Sequence, residues 1–309
     1  MYIKRAIEDT IRQISRTFPV LLVTGPRQVG KTTLLKHLAE PGRKYVTLDD
    51  PAARFLARTD PSLFMQRYHP PVIIDEIQHA PEILPYIKMN VDRSGNKGDF
   101  WLTGSQIFHT MKNVSESLAG RVGIVNLLGL SNSEIDGIPS EPFTASPQRL
   151  LERTKTAKRA NSAQIYERIF RGGLPALYAD TTINLETFYS SYIDSYLKRD
   201  IRDLIQIADE MSFYKFMLAV AARTAKPVNY DELARDAEIT APTAKRWLSI
   251  LVSSQLVVLL QPYHNNALKR IVKMPLLHFL DTGLCAHLLR WGSPETLERS
   301  AMAGQFFES

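Results

Sequence analysis

The sequence predicts an α/β fold in which helices cover a parallel β-sheet, followed by a mostly helical second half. Short apolar runs alternate with helical segments up to about residue 128, a pattern typical of a parallel sheet. Residues 162–225 carry mostly helical periodicity, broken at Gly172-Gly173-Leu174-Pro175. Beyond residue 227 the predicted order is helix, turn, helix and β-hairpin, which is the order of a winged helix.

The first half opens with an amphipathic helix, because isoleucines recur at helical spacing until Pro19 ends the pattern. Val20–Val23 is a fully apolar run before a glycine-rich turn, as expected of a buried central strand. Thr32–Leu38 is predicted to be a helix. The remaining predicted strands are Tyr45–Leu48, Val72–Ile74, Phe100–Leu102 and Val122–Leu128.

The second half is predicted in the same way. Tyr230–Ala237 is a short helix, and Thr240 can cap the helix Ala241–Ser253. Val257–Tyr263 and Ile271–Phe279 then form the hairpin. We therefore expect four regions: a nucleotide-binding core at 1–135, a linker and helical region at 136–226, a winged helix at 227–290, and a C-terminal segment at 291–309.

Composition favours a soluble, cytoplasmic protein. Of 309 residues, 44% are hydrophobic and 23% charged, and the formal net charge of +6 mildly favours anionic partners. A single cysteine, Cys285, excludes an internal disulfide and fits a reducing compartment. The longest apolar stretch, residues 248–260, is interrupted and too short to span a bilayer, so no membrane association is expected.

Residues 25–32 match the phosphate-loop pattern G-x-x-x-x-G-K-[ST] in full. The glycines allow backbone N–H groups to surround phosphate oxygens, and the following helix directs its positive end at the same anion. Lys31 is expected to reach the β- and γ-phosphates, and Thr32 to bind Mg²⁺. The residues predicted to contact the nucleotide are Gly25, Pro26, Arg27, Gln28, Val29, Gly30, Lys31, Thr32 and Thr33.

Two carboxylates end the predicted strand Val72–Ile74, and this is the sheet edge at which ligands bind. Asp75 is expected to hold Mg²⁺ together with Thr32. Glu76 is expected to orient or deprotonate the attacking water. Solvated loop carboxylates are the alternative.

Further site residues are predicted with alternatives left open. Ser105, with Thr103 as second choice, could contact the γ-phosphate, or the segment could be a plain turn. Arg121 could neutralise charge on the transferred phosphoryl group, in its own chain or in a neighbouring subunit of a homo-oligomer, or could be structural. Asp49 and Asp50 could face the nucleotide, but we favour capping of the helix that starts near Pro51.

These motifs resemble a widespread group of prokaryotic AAA+-like ATP-binding proteins. The segments that carry the resemblance are GPRQVGKTTLL, YVTLDDP, PVIIDEIQ, FWLTGSQ and LAGRV in the first half, and GGLPAL, SYIDSYLKRDIRDL and MPLLHFLDTGLCAHLL in the second. The resemblance implies an AAA+ type of sheet, Glu76 as the catalytic glutamate, Ser105 as a sensor, ATP rather than GTP, and a winged helix. It also implies that relatives continue past Gly304–Glu308 into a nuclease-like domain, so we expect this chain to be truncated.

The predicted winged helix has two alternative partners. Thr243, Lys245 and Arg246 near the start of its second helix could contact DNA. Wing residues could do the same, namely His264, Asn265, Asn266, Lys269 and Arg270. Acids nearly cancel bases between residues 231 and 281, which favours an intramolecular role or a protein partner instead.

The function expected from these observations is a Mg²⁺-dependent ATPase of the AAA+ type whose nucleotide state controls the helical and winged-helix regions. A non-hydrolysing ATP-binding scaffold or DNA-binding regulator is the first alternative. A small-molecule kinase on the same scaffold is the second, although Glu76 argues against it because a carboxylate that activates water would waste ATP.

Overall fold

A computed structural model describes residues 2–104, 117–139, 141, 144–156, 159–196, 210–263 and 274–309. It divides into two compact units. The first comprises residues 1–130 with Ser253–Leu256, and the second comprises Ser131–Val252 with Val257–Ser309. Among the described residues, no helix is long and apolar enough to cross a membrane.

The first unit contains a five-stranded parallel sheet, in agreement with the predicted α/β fold. The strands are β1 (Val20–Thr24), β2 (Lys44–Thr47), β3 (Val72–Asp75), β4 (Phe100–Gly104) and β5 (Val122–Asn126), in the spatial order β2-β3-β4-β1-β5. The helices are α1 (Glu8–Thr17), α2 (Lys31–Leu38), α3 (Pro51–Thr59), α4 (Pro61–Arg67) and α5 (Leu84–Ser94).

Burial explains which strands are central. All residues of β1, β3 and β4 are buried, as expected for continuous apolar strands with helices on both faces. The order places β4 between β1 and β3, with Val23 opposite Thr103 and Ile74 opposite Leu102. The residues that follow β1, β3 and β4 therefore meet at one edge of the sheet.

The predicted cap of α3 is confirmed for one of its two candidate residues. Asp50 caps α3, since its Oδ1 accepts from the Ala52 N–H at 2.9 Å. Asp49 does not cap; its carboxylate lies 3.4 Å from His79 Nε2.

The second unit is mostly helical. Its helices are α6 (Asn132–Asp136), α7 (Pro147–Thr156), α8 (Ser162–Arg171), α9 (Ala176–Ala179), α10 (Leu185–Tyr196), α11 (Glu210–Ala221), α12 (Tyr230–Asp236), α13 (Ala241–Ser253), α14 (Thr282–Leu288), α15 (Pro294–Glu298) and α16 (Ala303–Glu308). A small antiparallel sheet has the order β6-β8-β7, formed by Lys226–Pro227, Leu276–Phe279 and Val257–Leu260.

The segment predicted to be a winged helix contains α12, a turn, α13 and the antiparallel pair β7–β8. Thr240 caps α13 as predicted, because its hydroxyl accepts from the Thr243 N–H at 3.3 Å. The wing residues His264, Asn265, Asn266, Lys269 and Arg270 lie outside the described residues.

Candidate functional site: the phosphate loop and its carboxylates

The phosphate loop connects β1 to α2 and depends on two glycines. Gly25 has φ +151°, and a Cβ there would lie 2.1 Å from the Leu127 carbonyl oxygen, so no other residue fits without moving β5. Gly30 has φ +88° immediately before α2, a conformation that L side chains rarely adopt. Backbone geometry therefore requires glycine at both of these positions in the phosphate loop.

Lys31 begins α2 and is only 6% exposed. Its Nζ donates to the Gly25 carbonyl at 2.9 Å and to the Pro26 carbonyl at 2.8 Å. These bonds hold the ammonium group inside the loop, at the start of an eight-residue helix whose first N–H groups have no intrahelical partner. The loop thus combines a cation with a helix N-terminus, which is the arrangement that binds phosphate.

Asp75 is the centre of a hydrogen-bonded cluster at the end of β3. Its Oδ1 accepts from the Thr32 hydroxyl at 2.7 Å and from the Thr103 hydroxyl at 2.5 Å. Its Oδ2 accepts from the Tyr45 hydroxyl at 3.0 Å. Burial of the phenol, with the nearby Asp75 charge, raises the pKa of Tyr45 to about 12. Three elements therefore fix one carboxylate beside the phosphate loop.

Glu76 follows in the left-handed conformation, with φ +59° and ψ +52°. Such a conformation is uncommon for a residue other than glycine, and residues of this kind cluster at functional sites. The Glu76 N–H donates to Thr103 Oγ1 at 3.0 Å, and Gln78 Nε2 donates to its carboxylate Oε2. Thr103 thus binds both acidic residues, so the second-choice residue of the sequence analysis contacts the site.

Arg5 is a site residue that sequence reasoning missed. It is 5% exposed, and its guanidinium donates to the carbonyls of Val29 at 2.9 Å, Leu128 at 2.7 Å and Gly129 at 3.1 Å. The phosphate loop is therefore tied to the chain that follows β5. An arginine in an amphipathic segment carries no sequence signal for this role, since Leu128 lies 123 residues away.

The structure does not bring Arg121 to the phosphate loop of its own chain, and its role in a neighbouring subunit stays a prediction. Arg121 precedes β5, and its carbonyl accepts from the Val20 N–H at the start of β1. The phosphate loop begins at the other end of β1, about 16 Å away at about 3.3 Å per residue. Its guanidinium instead donates to both Asp92 oxygens, at 2.5 and 3.1 Å. This pairing raises the pKa of Arg121 and lowers that of Asp92.

Ser105, the first-choice sensor, lies outside the described residues. In the second unit, Lys245 and Arg246 are exposed on α13, whereas Thr243 is partly buried and bonded to Thr240 through its hydroxyl at 2.9 Å. The structure thus leaves two of the three predicted helix residues open to a partner.

Comparison with known proteins places these units in families. Residues 17–136 match the family described as AAA domain, and residues 162–295 match the Domain of unknown function (DUF8612). Two uncharacterized proteins, Rv2008c of Mycobacterium tuberculosis and Mb2031c of Mycobacterium bovis, are each 28% identical over 306 residues, or 99% of this chain. The chain spans 64% of the length of these relatives.

Among solved structures, the Walker-type ATPase PABY2304 of Pyrococcus abyssi matches with a TM-score of 0.58 at 13% identity. The match covers 93% of this chain and 96% of that one, and shows a shared fold. The phosphate loop and the AAA match assign nucleotide binding to the first unit. The chain therefore carries an ATP-binding AAA domain, followed by a domain of unknown function.

Proposed function

We propose that the first unit is a Mg²⁺-dependent ATPase in which Glu76 prepares water for attack on the γ-phosphate. The observation that carries this proposal is the cluster in which Asp75 accepts from Thr32 and Thr103 at 2.7 and 2.5 Å. It joins the phosphate-loop hydroxyl to the carboxylate that ends β3, and Thr103 also accepts from the backbone N–H of Glu76. A phosphate loop that bound nucleotide without hydrolysing it would not need a second carboxylate next to Asp75.

Lys31 and the loop N–H groups would bind and neutralise the β- and γ-phosphates. Lys31 would exchange its bonds to the Gly25 and Pro26 carbonyls for bonds to phosphate oxygens, which are stronger because both partners are charged. Arg5 would keep the loop in place during this exchange, since it holds the Val29 carbonyl from outside.

The oxygen donors of Thr32 and Asp75 fit Mg²⁺, which prefers hydroxyl, carboxylate and phosphate oxygens. These two residues would hold the ion, Asp75 through water, and the bound ion would supply neutralisation of phosphate charge. Tyr45 and Thr103 would orient the Asp75 carboxylate, and such partners of a ligating side chain usually matter for affinity.

Glu76 would accept a proton from, or orient, the attacking water. Two hydrogen bonds fix its position. The Glu76 N–H donates to the Thr103 hydroxyl, and the Gln78 amide donates to the Glu76 carboxylate. This fixed carboxylate supports transfer to water over transfer to a metabolite, and so supports an ATPase over the kinase alternative.

The test is phosphate release from Mg·ATP by the full chain, by Lys31→Ala and by Glu76→Gln. The matched control is Glu82→Gln, which removes an exposed carboxylate from the same stretch. We expect Lys31→Ala to lose binding and turnover, Glu76→Gln to bind ATP but lose turnover, and Glu82→Gln to match wild type. Unchanged turnover in Glu76→Gln would reject the assignment.

Two other results would select the alternatives. ATP binding without phosphate release from the wild-type chain would support the scaffold. Faster phosphoryl transfer to a metabolite than to water would support the kinase.

We further propose that α12, α13 and the β7–β8 pair form a winged helix that engages a protein partner. Nearby basic residues are already paired: Arg223 lies 3.4 Å from Glu232 and 2.5 Å from Asp236, and Lys215 lies 3.0 Å from Glu238. This neutralised surface favours protein over DNA. Salt-sensitive binding of duplex DNA that is lost in Arg246→Ala would reverse the preference.

A further inference from the structure

A cavity of about 640 Å³ lies within the second unit, and none of its lining residues belongs to the proposed ATPase site. Its volume is in the range of pockets that hold small organic molecules, about 300–1,000 Å³. Four aromatic residues line it: Phe170, Tyr189, Tyr214 and Trp291. Polar side chains converge on the same space from α10 and from the end of α14.

A part-buried hydrogen-bond network centred on Asp281 contacts Tyr189, which lines this cavity. Asp281 Oδ1 accepts from the Tyr189 hydroxyl at 2.9 Å and from the Leu284 N–H at 2.7 Å. Its Oδ2 accepts from the Gly173 N–H at 2.8 Å. Burial raises the pKa of Asp281 despite these donors, which hold the carboxylate in place.

Two glycines close the backbone around this tyrosine. A Cβ at Gly172 or at Gly283 would lie 2.3 Å from the Tyr189 hydroxyl oxygen. The segments GGLPAL and FLDTGL, which have no assigned chemistry at the sequence level, therefore meet at Tyr189. Their meeting point forms one wall of the cavity and fixes the orientation of an aromatic ring there.

His287 and Ser190 form an uncharged polar pair at the same wall. The His287 ring stacks on Tyr189 with centroids 5.9 Å apart, and the Ser190 hydroxyl lies 3.3 Å from its Nε2. Burial lowers the pKa of His287, although the nearby Glu186 carboxylate acts in the opposite direction. At neutral pH the imidazole is therefore uncharged, and the charges at the cavity belong to Arg290 and Glu186.

Arg290 occupies a backbone position that suits glycine. The end of α14 is a Schellman turn, in which the Trp291 N–H donates to the Ala286 carbonyl at 3.1 Å and the Arg290 N–H to the His287 carbonyl at 3.0 Å. Arg290 has φ +57°, and glycine is the usual residue there. Its side chain is exposed and makes no ion pair with another described residue.

We propose that this cavity binds a small organic anion that combines a planar ring with a carboxylate or phosphate group. The ring would pack against the aromatic walls, where Tyr214 and Trp291 lie. The Arg290 guanidinium would bind the anion through two parallel N–H donors. Glu186 would disfavour ligands with a second anionic group.

The experiment is isothermal titration calorimetry on the full chain with the phosphate loop saturated by Mg·ADP. Uridine 5′-monophosphate and indole-3-acetate supply a ring with phosphate and with carboxylate. Uridine and indole lack the anion, whereas inorganic phosphate and acetate lack the ring. We expect one ring-bearing anion to bind at least about tenfold more tightly than its uncharged and ringless counterparts, a difference of about 1.4 kcal/mol. Which one binds identifies the anionic group.

Arg290→Gly separates a binding role from a structural one. We expect it to weaken the bound probe about tenfold or more while the melting temperature stays the same or rises, because glycine suits this backbone position. Arg290→Lys should restore part of the affinity. The matched control Arg299→Gly, at an exposed arginine that is not among the residues lining the cavity, should bind as wild type does.

Lys31→Ala should retain probe binding. The proposed ligand site and the proposed ATPase activity can therefore fail or succeed separately. Two results would overturn the proposed ligand site. One is that neither ring-bearing anion binds better than its counterparts. The other is that affinity is equal in the wild type and in Arg290→Gly.

Discussion

Replacing Thr103 by valine removes one hydroxyl and leaves the shape of the side chain almost unchanged. That hydroxyl is fully buried, donates to Asp75 Oδ1 at 2.5 Å and accepts from the Glu76 N–H at 3.0 Å. Thr103→Val therefore removes one donor from the Asp75 carboxylate and one acceptor from the Glu76 N–H. Both changes occur at the edge of the sheet where the phosphate loop lies.

The magnitude follows from the two lost bonds. A hydrogen bond to a charged acceptor contributes about 1.5–3 kcal/mol, and an unsatisfied buried N–H costs about 1–3 kcal/mol. The additional buried methyl group returns about 0.8 kcal/mol. We expect the first unit to lose about 2–5 kcal/mol of unfolding free energy. Phosphate release should fall about tenfold or more, because partners that orient ligating side chains typically matter by about 10–100-fold.

Thr24→Val is the matched control. Thr24 is also a buried threonine at the end of a strand of the same sheet, but its hydroxyl bonds are long and uncharged, at 3.3 Å to the Val125 carbonyl and 3.4 Å to Asn126 Oδ1. We expect it to lose at most about 1 kcal/mol. Hydrogen exchange of the β1 and β4 amides measures the stability of the first unit alone, and a phosphate-release assay measures turnover.

Equal stability and equal turnover in Thr103→Val and Thr24→Val would refute the reasoning. A loss of stability with normal turnover would show that Thr103 supports the fold but does not position the acidic residues. Thr103→Ser keeps the hydroxyl and should retain most of the turnover.

Three further predictions test other parts of the structure. Arg5→Met should destabilise the first unit by about 3 kcal/mol, because three carbonyls lose the guanidinium donor and the Val29 bond is buried. It should also weaken ATP binding. Arg16→Met, at an exposed position, should do neither, as hydrogen exchange and calorimetry can show. Tyr189→Phe should destabilise the second unit by about 1–3 kcal/mol and leave ATP binding unchanged; unaltered exchange in that unit would contradict it. Since the pKa of Tyr45 is raised from 10.0 to about 12, its contribution to stability is complete below pH 10 and is lost as pH rises toward 12. An ultraviolet titration compared with Tyr45→Phe should show this late-ionising phenol, and its absence would contradict the burial.

The phosphate-loop edge could be predicted from sequence because each part is local. A glycine-rich turn after an apolar strand places Lys31 and Thr32, and carboxylates after another apolar strand place Asp75. Parallel strands then bring both ends to one edge of the sheet, and the structure places the Thr32 hydroxyl 2.7 Å from Asp75 Oδ1. The roles in hydrolysis stay predictions.

The position of Arg121 has an equally local cause. Arg121 comes before its strand, whereas the phosphate loop and Asp75 come after or at the end of theirs. In a parallel sheet these positions lie at opposite edges. The motif LAGRV alone could not reveal this, but the direction of the following strand could have.

What sequence could not reveal is which distant residues meet. Asp281 in FLDTGL is a lone acid in an apolar run, and such an acid is expected to be either exposed or fully hydrogen-bonded. Its donors include the Gly173 N–H, 108 residues away, and the Tyr189 hydroxyl, 92 residues away. Local periodicity predicts the helix or strand to which each residue belongs. It does not predict which helices and strands pack together. The cavity beside Tyr189 forms only when these elements pack together. A binding site in this unit therefore has no sequence motif of its own.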